Sequence, residues 1–167
     1  GYEPEFIKIE NMAVGSSLIL ENPPNKKYKG ESSHALINGM GGTINYQDKS
    51  WQGFEAEDLI AIIDLGSAKT INAVEVRFLQ SQVFWIFLPY HIQIEHSYDG
   101  KNFELIYEDF PNNDFSFEQK IISYKTNLDP LQSRFIRVKG YNIDQCPDYH
   151  PGAGGPAWIF SDEIIIN

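Results

Sequence analysis

The feature that most constrains this chain is a series of short alternating apolar runs, each stopped by glycine, proline or an Asx residue. Residues 71–79 are the clearest case, with Val74, Val76 and Phe78 on one face and Glu75 and Arg77 on the other. Period-two alternation marks a half-buried strand. Residues 5–9, 17–20, 90–97, 103–107, 117–124 and 134–140 read the same way, and 59–65 is a strand apolar on both faces that Gly66 is expected to stop. Residues 157–166 form a last, mostly apolar strand. Asp99-Gly100 between two alternating runs is a hairpin signal. No stretch has the helical period for more than a turn or two. Some nine strands separated by turn signals predict an all-β chain, a mainly antiparallel β-sandwich or jelly roll.

At 167 residues the chain is read as one domain, 1–167, long enough for its own core. The formal net charge of −10 argues against nucleic acid and anionic membrane as partners. No apolar run reaches the ~20 residues of a membrane-spanning helix, so no membrane insertion is expected. The one cysteine, Cys146, excludes an internal disulfide and a cysteine metal cluster. Gly1 in place of a methionine is read as the start of a piece cut from something larger, whose export signal would lie elsewhere.

Three loops carry the side chains of interest: residues 45–53, 80–85 and 148–158. The segment from Cys146 to Pro156 contains three prolines and four-residue Gly152-Ala-Gly-Gly, which excludes a helix or a central strand. Sugars present C–H faces that pack on aromatic rings, and hydroxyls that need planar polar partners. Trp51, Trp85, Tyr149 and Trp158 are the candidate stacking groups, with Gln82, Asp148 and His150 as hydroxyl partners. Taken singly, a large aromatic in a sandwich loop more often caps the core than faces solvent. Burial of Trp85, Tyr149 and Trp158 together would remove the surface. No catalytic constellation is evident. Asp162 and Glu163 are strand neighbours, which simple alternation sends to opposite faces.

Several segments occur in a recognisable order: Ile63-Asp-Leu-Gly66, Val74-Glu-Val76, Ile92-Gln-Ile94, Ser97-Tyr-Asp-Gly100, Arg134-Phe-Ile-Arg-Val138 and Ser161-Asp-Glu-Ile164. This set resembles the coagulation factor V/VIII type C, or discoidin, family, which includes the family 32 carbohydrate-binding modules. The likeness covers residues 34–167, with 1–33 as N-terminal strands and a loop. Residues 46–55, 85–89 and 146–158 resemble the C-terminal domain of Bacteroides-type chitobiases and β-N-acetylhexosaminidases of glycoside hydrolase family 20. The resemblance implies a jelly-roll sandwich that binds through loops at one end. It implies a non-catalytic, monomeric module in a secreted, periplasmic or cell-surface glycosidase. Its partners would be terminal N-acetylglucosamine or galactose glycans and the catalytic domain of the same polypeptide. The alternative is an accessory domain that only packs against that catalytic domain.

Family members often hold a structural calcium with an Asp-Gly-x-x-x-Thr turn and a late glutamate. Asn38-Gly39 and Thr43 keep the spacing, with asparagine where aspartate is usual, and Glu163 takes the late position. The implied ligands are the carbonyls of Ala35, Met40 and Asp162, the Asn38 side chain, both Thr43 oxygens and the Glu163 carboxylate. Calcium takes roughly six to eight oxygens, and loss of one carboxylate lowers affinity. The metal-free reading is an ordinary turn bonded by Asn38 and Thr43. Sugar-binding relatives often add a loop arginine, but Arg77, Arg134 and Arg137 all lie in strands, a departure from the galactose-type pattern.

Overall fold

The computed structural model describes residues 6–167. The strands are β1 (Ile7–Lys8), β2 (Ser17–Leu20), β3 (Met40–Gly41), β4 (Gln52–Glu55), β5 (Leu59–Ile71), β6 (Val74–Gln80), β7 (His91–Ser97), β8 (Glu104–Asp109), β9 (Lys120–Lys125), β10 (Leu131–Tyr141) and β11 (Trp158–Ile166). They form two antiparallel sheets, of order β2-β5-β10-β7-β8 and β4-β11-β6-β9, with β1 and β3 as a separate ribbon. The fold is the all-β jelly-roll sandwich the alternation predicts. Ile63, Ile94 and Val138 face Val76, Phe78 and Ile164 in a core closed to water. Each such aliphatic or aromatic side chain contributes about 1.5–3 kcal/mol on burial.

Four expectations are corrected. Strand β5 does not stop at Gly66. It continues to Ile71, because Gly66 adopts a φ of +87° and the pairing with β10 shifts register between Ser133 and Phe135. The glycine bends the strand and does not end it. Second, Gln52–Glu55 is not loop but β4, which pairs with the start of β11. Its Gly53 accommodates the Phe160 ring at a distance that a Cβ would reduce to 2.6 Å. Third, β9 begins at Lys120, so Phe117 lies in a loop. Fourth, the expected 5–9 strand is confined to Ile7–Lys8, while Glu5 falls outside the described residues.

The bulge in β11 matters most for function. Register with β6 slips between Ser161 and Ile164. A bulge breaks strict alternation, so Asp162 and Glu163 both reach the turn at Gly39 to Gly42 and do not point to opposite faces.

Candidate functional site

The loop of residues 146–156 folds on itself. Cys146 N–H donates to Gly155 C=O at 2.8 Å, and Gly154 N–H donates to Cys146 C=O at 3.0 Å. His150 ties this loop to the one at 81–86. Gly152 N–H donates to His150 Nδ1 at 2.9 Å, so the ring proton sits on Nε2, 2.7 Å from Gln82 C=O. Gln82 in turn donates from Nε2 to Asp114 C=O at 2.9 Å. The Tyr149 hydroxyl lies 2.6 Å from Asn113 C=O and 3.2 Å from Gln82 Oε1. Burial holds the Tyr149 phenol above its usual pKa, so it remains a donor. Asn113 grips Leu88 through both its carboxamide atoms. Three loops are thereby bonded into one unit.

Trp85 sits on top of that unit. Its φ of +65° turns the side chain away from the 3-10 turn that precedes it. The indole lies on Gly152 and Gly155, where an added Cβ would come within 2.5 and 2.7 Å of the ring. Trp85 is 37% exposed and Tyr149 38%. Phe115, 57% exposed, meets the Tyr149 ring edge-on at 5.6 Å and Phe117 at 4.8 Å. Asp148 is exposed, with no side-chain partner among the described residues. On the far side, Tyr46 and Phe84 pack at 4.6 Å beside a groove of about 460 Å³ that Asn45, Gln47 and Gln119 also line.

The structure therefore divides the sequence candidates. Trp85, Tyr149 and Asp148 are each accessible and belong to loops that are bonded together. His150 and Gln82 are buried, so they hold those loops from behind and do not meet a ligand directly. Trp158 is half-buried and joins another cluster, edge-on to Tyr28 at 5.3 Å and 5.8 Å from Phe160. Trp51 is corrected outright as a stacking group: it is 1% exposed, and its indole N–H donates to Thr43 C=O at 2.8 Å beneath Gly42. Sequence reasoning missed Phe84, Phe115 and Phe117. The Phe-Ser-Phe alternation of 115–117 looks like strand, and the clue against it is the Asn112-Asn113-Asp114 turn chemistry just before.

The Asn38–Thr43 turn meets β11 below these loops. Gly39 N–H donates to Glu163 Oε2 at 2.8 Å, and Gly42 N–H donates to Asp162 Oδ2 at 2.6 Å. Arg77 completes the Asp162 environment, with Nη2 3.0 Å from Oδ2. Glu163 Oε1 is buried without a partner. Burial pushes the Glu163 carboxyl up to about 9, and Asp162 beside it adds to the shift. Burial pushes Asp162 up to about 6 against the pull of Arg77. Asn38 Oδ1 accepts from Met40 N–H, and the Thr43 hydroxyl donates to Asp48 Oδ2 at 2.7 Å. The orphaned Oε1 of a buried carboxyl is the observation that fits a cation. Asn38 Oδ1 and the Thr43 carbonyl each accept one hydrogen bond and retain a lone pair, while the Thr43 hydroxyl both donates to Asp48 and accepts from Asn45 N–H.

No family model matches the chain, and no curated protein matches it. Solved structures do. Chitosan-binding module 1 of a chitosanase/glucanase from Paenibacillus sp. IK-5 is 13% identical, with a TM-score of 0.58 over 95% of this chain and 98% of that one. CpGH89CBM32-4 from Clostridium perfringens, solved in complex with GlcNAc-α-1,4-galactose, is 14% identical, with a TM-score of 0.57 over 99% of this chain and 97% of that one. CBM32-1 from a family 31 glycoside hydrolase of Clostridium perfringens is 15% identical, with a TM-score of 0.55 over 93% and 96%. The fold is that of the CBM32 modules. Likeness at this identity carries the CBM32 frame and no side chain, so Trp85, Tyr149 and Phe115 stand on their own geometry.

Proposed function

We propose that the chain is a carbohydrate-binding accessory module of a secreted, periplasmic or cell-surface glycoside hydrolase. The observation that carries this reading is the exposed Trp85 indole, seated on Gly152 and Gly155 of the loop that also carries the accessible Tyr149 and Asp148. A pyranose C–H face stacks on such a ring, and the free Asp148 carboxylate accepts hydroxyl protons. The expected ligand is an N-acetylhexosamine- or galactose-containing glycan, and the placement of all three arginines in strands favours the N-acetylhexosamine end of that range. The GlcNAc-α-1,4-galactose of the C. perfringens complex supports this ligand class, and the name of the Paenibacillus chitosan-binding module supports carbohydrate binding in general. The parent enzyme is of chitobiase or β-hexosaminidase type, on the resemblance of residues 46–55, 85–89 and 146–158. A module of this kind acts by raising the effective concentration of its catalytic domain at a glycan. A glycan-array screen tests it: Trp85→Ala should lose about tenfold or more in affinity for any glycan the parent chain retains. A blank array would remove the reading.

Calcium belongs to the same proposal. Glu163 and Asn38 side chains, Thr43, and the carbonyls of Ala35, Met40 and Asp162 would hold it. Bound there, it supplies the positive charge that Glu163 lacks and ties an early turn to the last strand. Millimolar calcium added after chelation should raise Tm by mass action, and Glu163→Gln should abolish the rise. Superimposable melts with and without calcium would leave an ordinary turn.

The second reading, docking of the loop end on the parent's catalytic domain, is favoured by one observation, the exposure of Phe84, Phe115 and Phe117. It expects those loops to gain hydrogen-exchange protection when the catalytic domain is joined, with no response to glycan.

A further inference from the structure

Each large sheet has two edge strands, and three of the four carry charges. Strand β8 has Glu104, Glu108 and Asp109, β9 has Lys120 and Lys125, and β4 has Glu55. Edge charges discourage a foreign strand from pairing. Strand β2 reads Ser-Leu-Ile-Leu, with neither charge nor proline. It pairs with β5 on one side only. Glu21 N–H donates to Ile60 C=O. By the alternation of an antiparallel ladder, Ser17 and Ile19 then bond toward β5, and the backbone groups of Leu18 and Leu20 point outward. Ile19 is 65% exposed.

Beside this edge the sandwich is open between β2 and β4. The opening is a groove of about 550 Å³ lined by Leu18, Leu20, Pro23 and Gln52, with Lys26 and Lys29 at its rim and Glu31 the one acid. Gln52 is almost wholly buried. Its Nε2 donates to the carbonyls of Lys29 and Ser32, which fixes the carboxamide orientation and leaves Oε1 without a donor. Lys26, Lys27 and Lys29 make no ion pair among the described residues, in a chain whose net charge is −10.

We propose that this groove takes an extended, acidic peptide segment of a partner polypeptide by strand addition to β2. Backbone pairing with Leu18 and Leu20 gives the affinity, alternate apolar side chains enter the groove, and acidic ones meet the lysines.

The probe is a fluorescein-labelled heptapeptide, Asp-Val-Glu-Val-Glu-Val-Asp, followed by anisotropy. Saturable binding is expected, weakened about tenfold by the pair Lys26→Glu and Lys29→Glu, whose side chains are exposed and whose reversal leaves the fold intact. N-methylation of alternate peptide amides should abolish binding, and Trp85→Ala should leave it unchanged. Equal binding of the same peptide with lysine for each acid, indifference to the lysine reversals, or no binding at millimolar peptide would overturn the proposal. A chain that self-associates and is dispersed by Ile19→Lys would overturn it in favour of a dimer.

Discussion

Two glycine-rich segments of the molecule do opposite things with the missing side chain. In Gly39 to Gly42 the bare backbone offers N–H groups to two buried carboxyls, and Gly41 leaves room for the Arg77 guanidinium at 3.2 Å from an ideal Cβ. In Gly152 to Gly155 the space is taken by an indole. Each contains one glycine in the left-handed region, Gly39 at a φ of +77° and Gly154 at +82°, where any other residue is disfavoured. Gly152 has no such backbone need, so its requirement is volume alone. Glycine content by itself is therefore a poor guide to purpose. What decides is which side chain arrives from elsewhere in the fold, charged in one case and aromatic in the other.

The comparison breaks most visibly at Arg77. Arg77→Ala leaves Asp162 buried and unpaired, and breaking such a pair typically costs about 3–5 kcal/mol. A denaturant midpoint equal to the parent's would show that the first segment does not depend on charge. Gly152→Ala is the matching test of the second. A Cβ that must enter the indole costs about 1–3 kcal/mol, and Trp85→Ala in the same chain should recover most of it. If the double variant is as unstable as the single one, the glycine serves the backbone and not the ring.

A pH scan in EDTA sharpens the contrast. Folded Glu163 keeps its proton up to about 9, against 4.5 in the open chain, so the native state binds more protons between those values. Its contribution is complete below pH 4.5 and is lost as the pH rises toward 9, which should lower Tm progressively over that range. Glu163→Gln should flatten that slope. Asp99 runs the other way. Backbone N–H groups of Lys101 and Asn102 hold its carboxyl well below the usual range, so its contribution is lost only in acid. The smallest effect is expected at Asp148. Asp148→Ala should leave stability within about 0.5 kcal/mol while weakening glycan binding, and equal affinity in the two chains would take Asp148 off the recognition face.

Legibility in the sequence follows how local each feature is. The β7–β8 hairpin was readable because Asp99-Gly100 contains its own instructions: the Asp99 carboxylate caps the turn and Gly100 takes a φ of +75°. The sandwich was readable because alternation is a property of each strand alone. Trp51 was not, since its burial depends on Gly42 and Thr43 folding over it. Asp162 and Glu163 were misplaced because one bulged residue reverses the alternation downstream, and nothing local marks it. Tyr149 and Trp85 are singled out by residue type, and the structure leaves them accessible, but the burial of His150 against Gln82 depends on a carbonyl 68 residues away in the chain.

The bonds linking His150, Gln82, Tyr149 and Asn113 have a consequence for anyone who would re-engineer the loop end that carries Trp85 and Tyr149. Residues 146–156 cannot be transplanted alone onto another sandwich. In a foreign host His150 would have no carbonyl to meet and the Tyr149 hydroxyl no acceptor. The transferable module is a trio of discontinuous segments, roughly 81–88, 110–118 and 146–156, and diversification libraries built on this scaffold should vary its outward residues while those four side chains remain fixed.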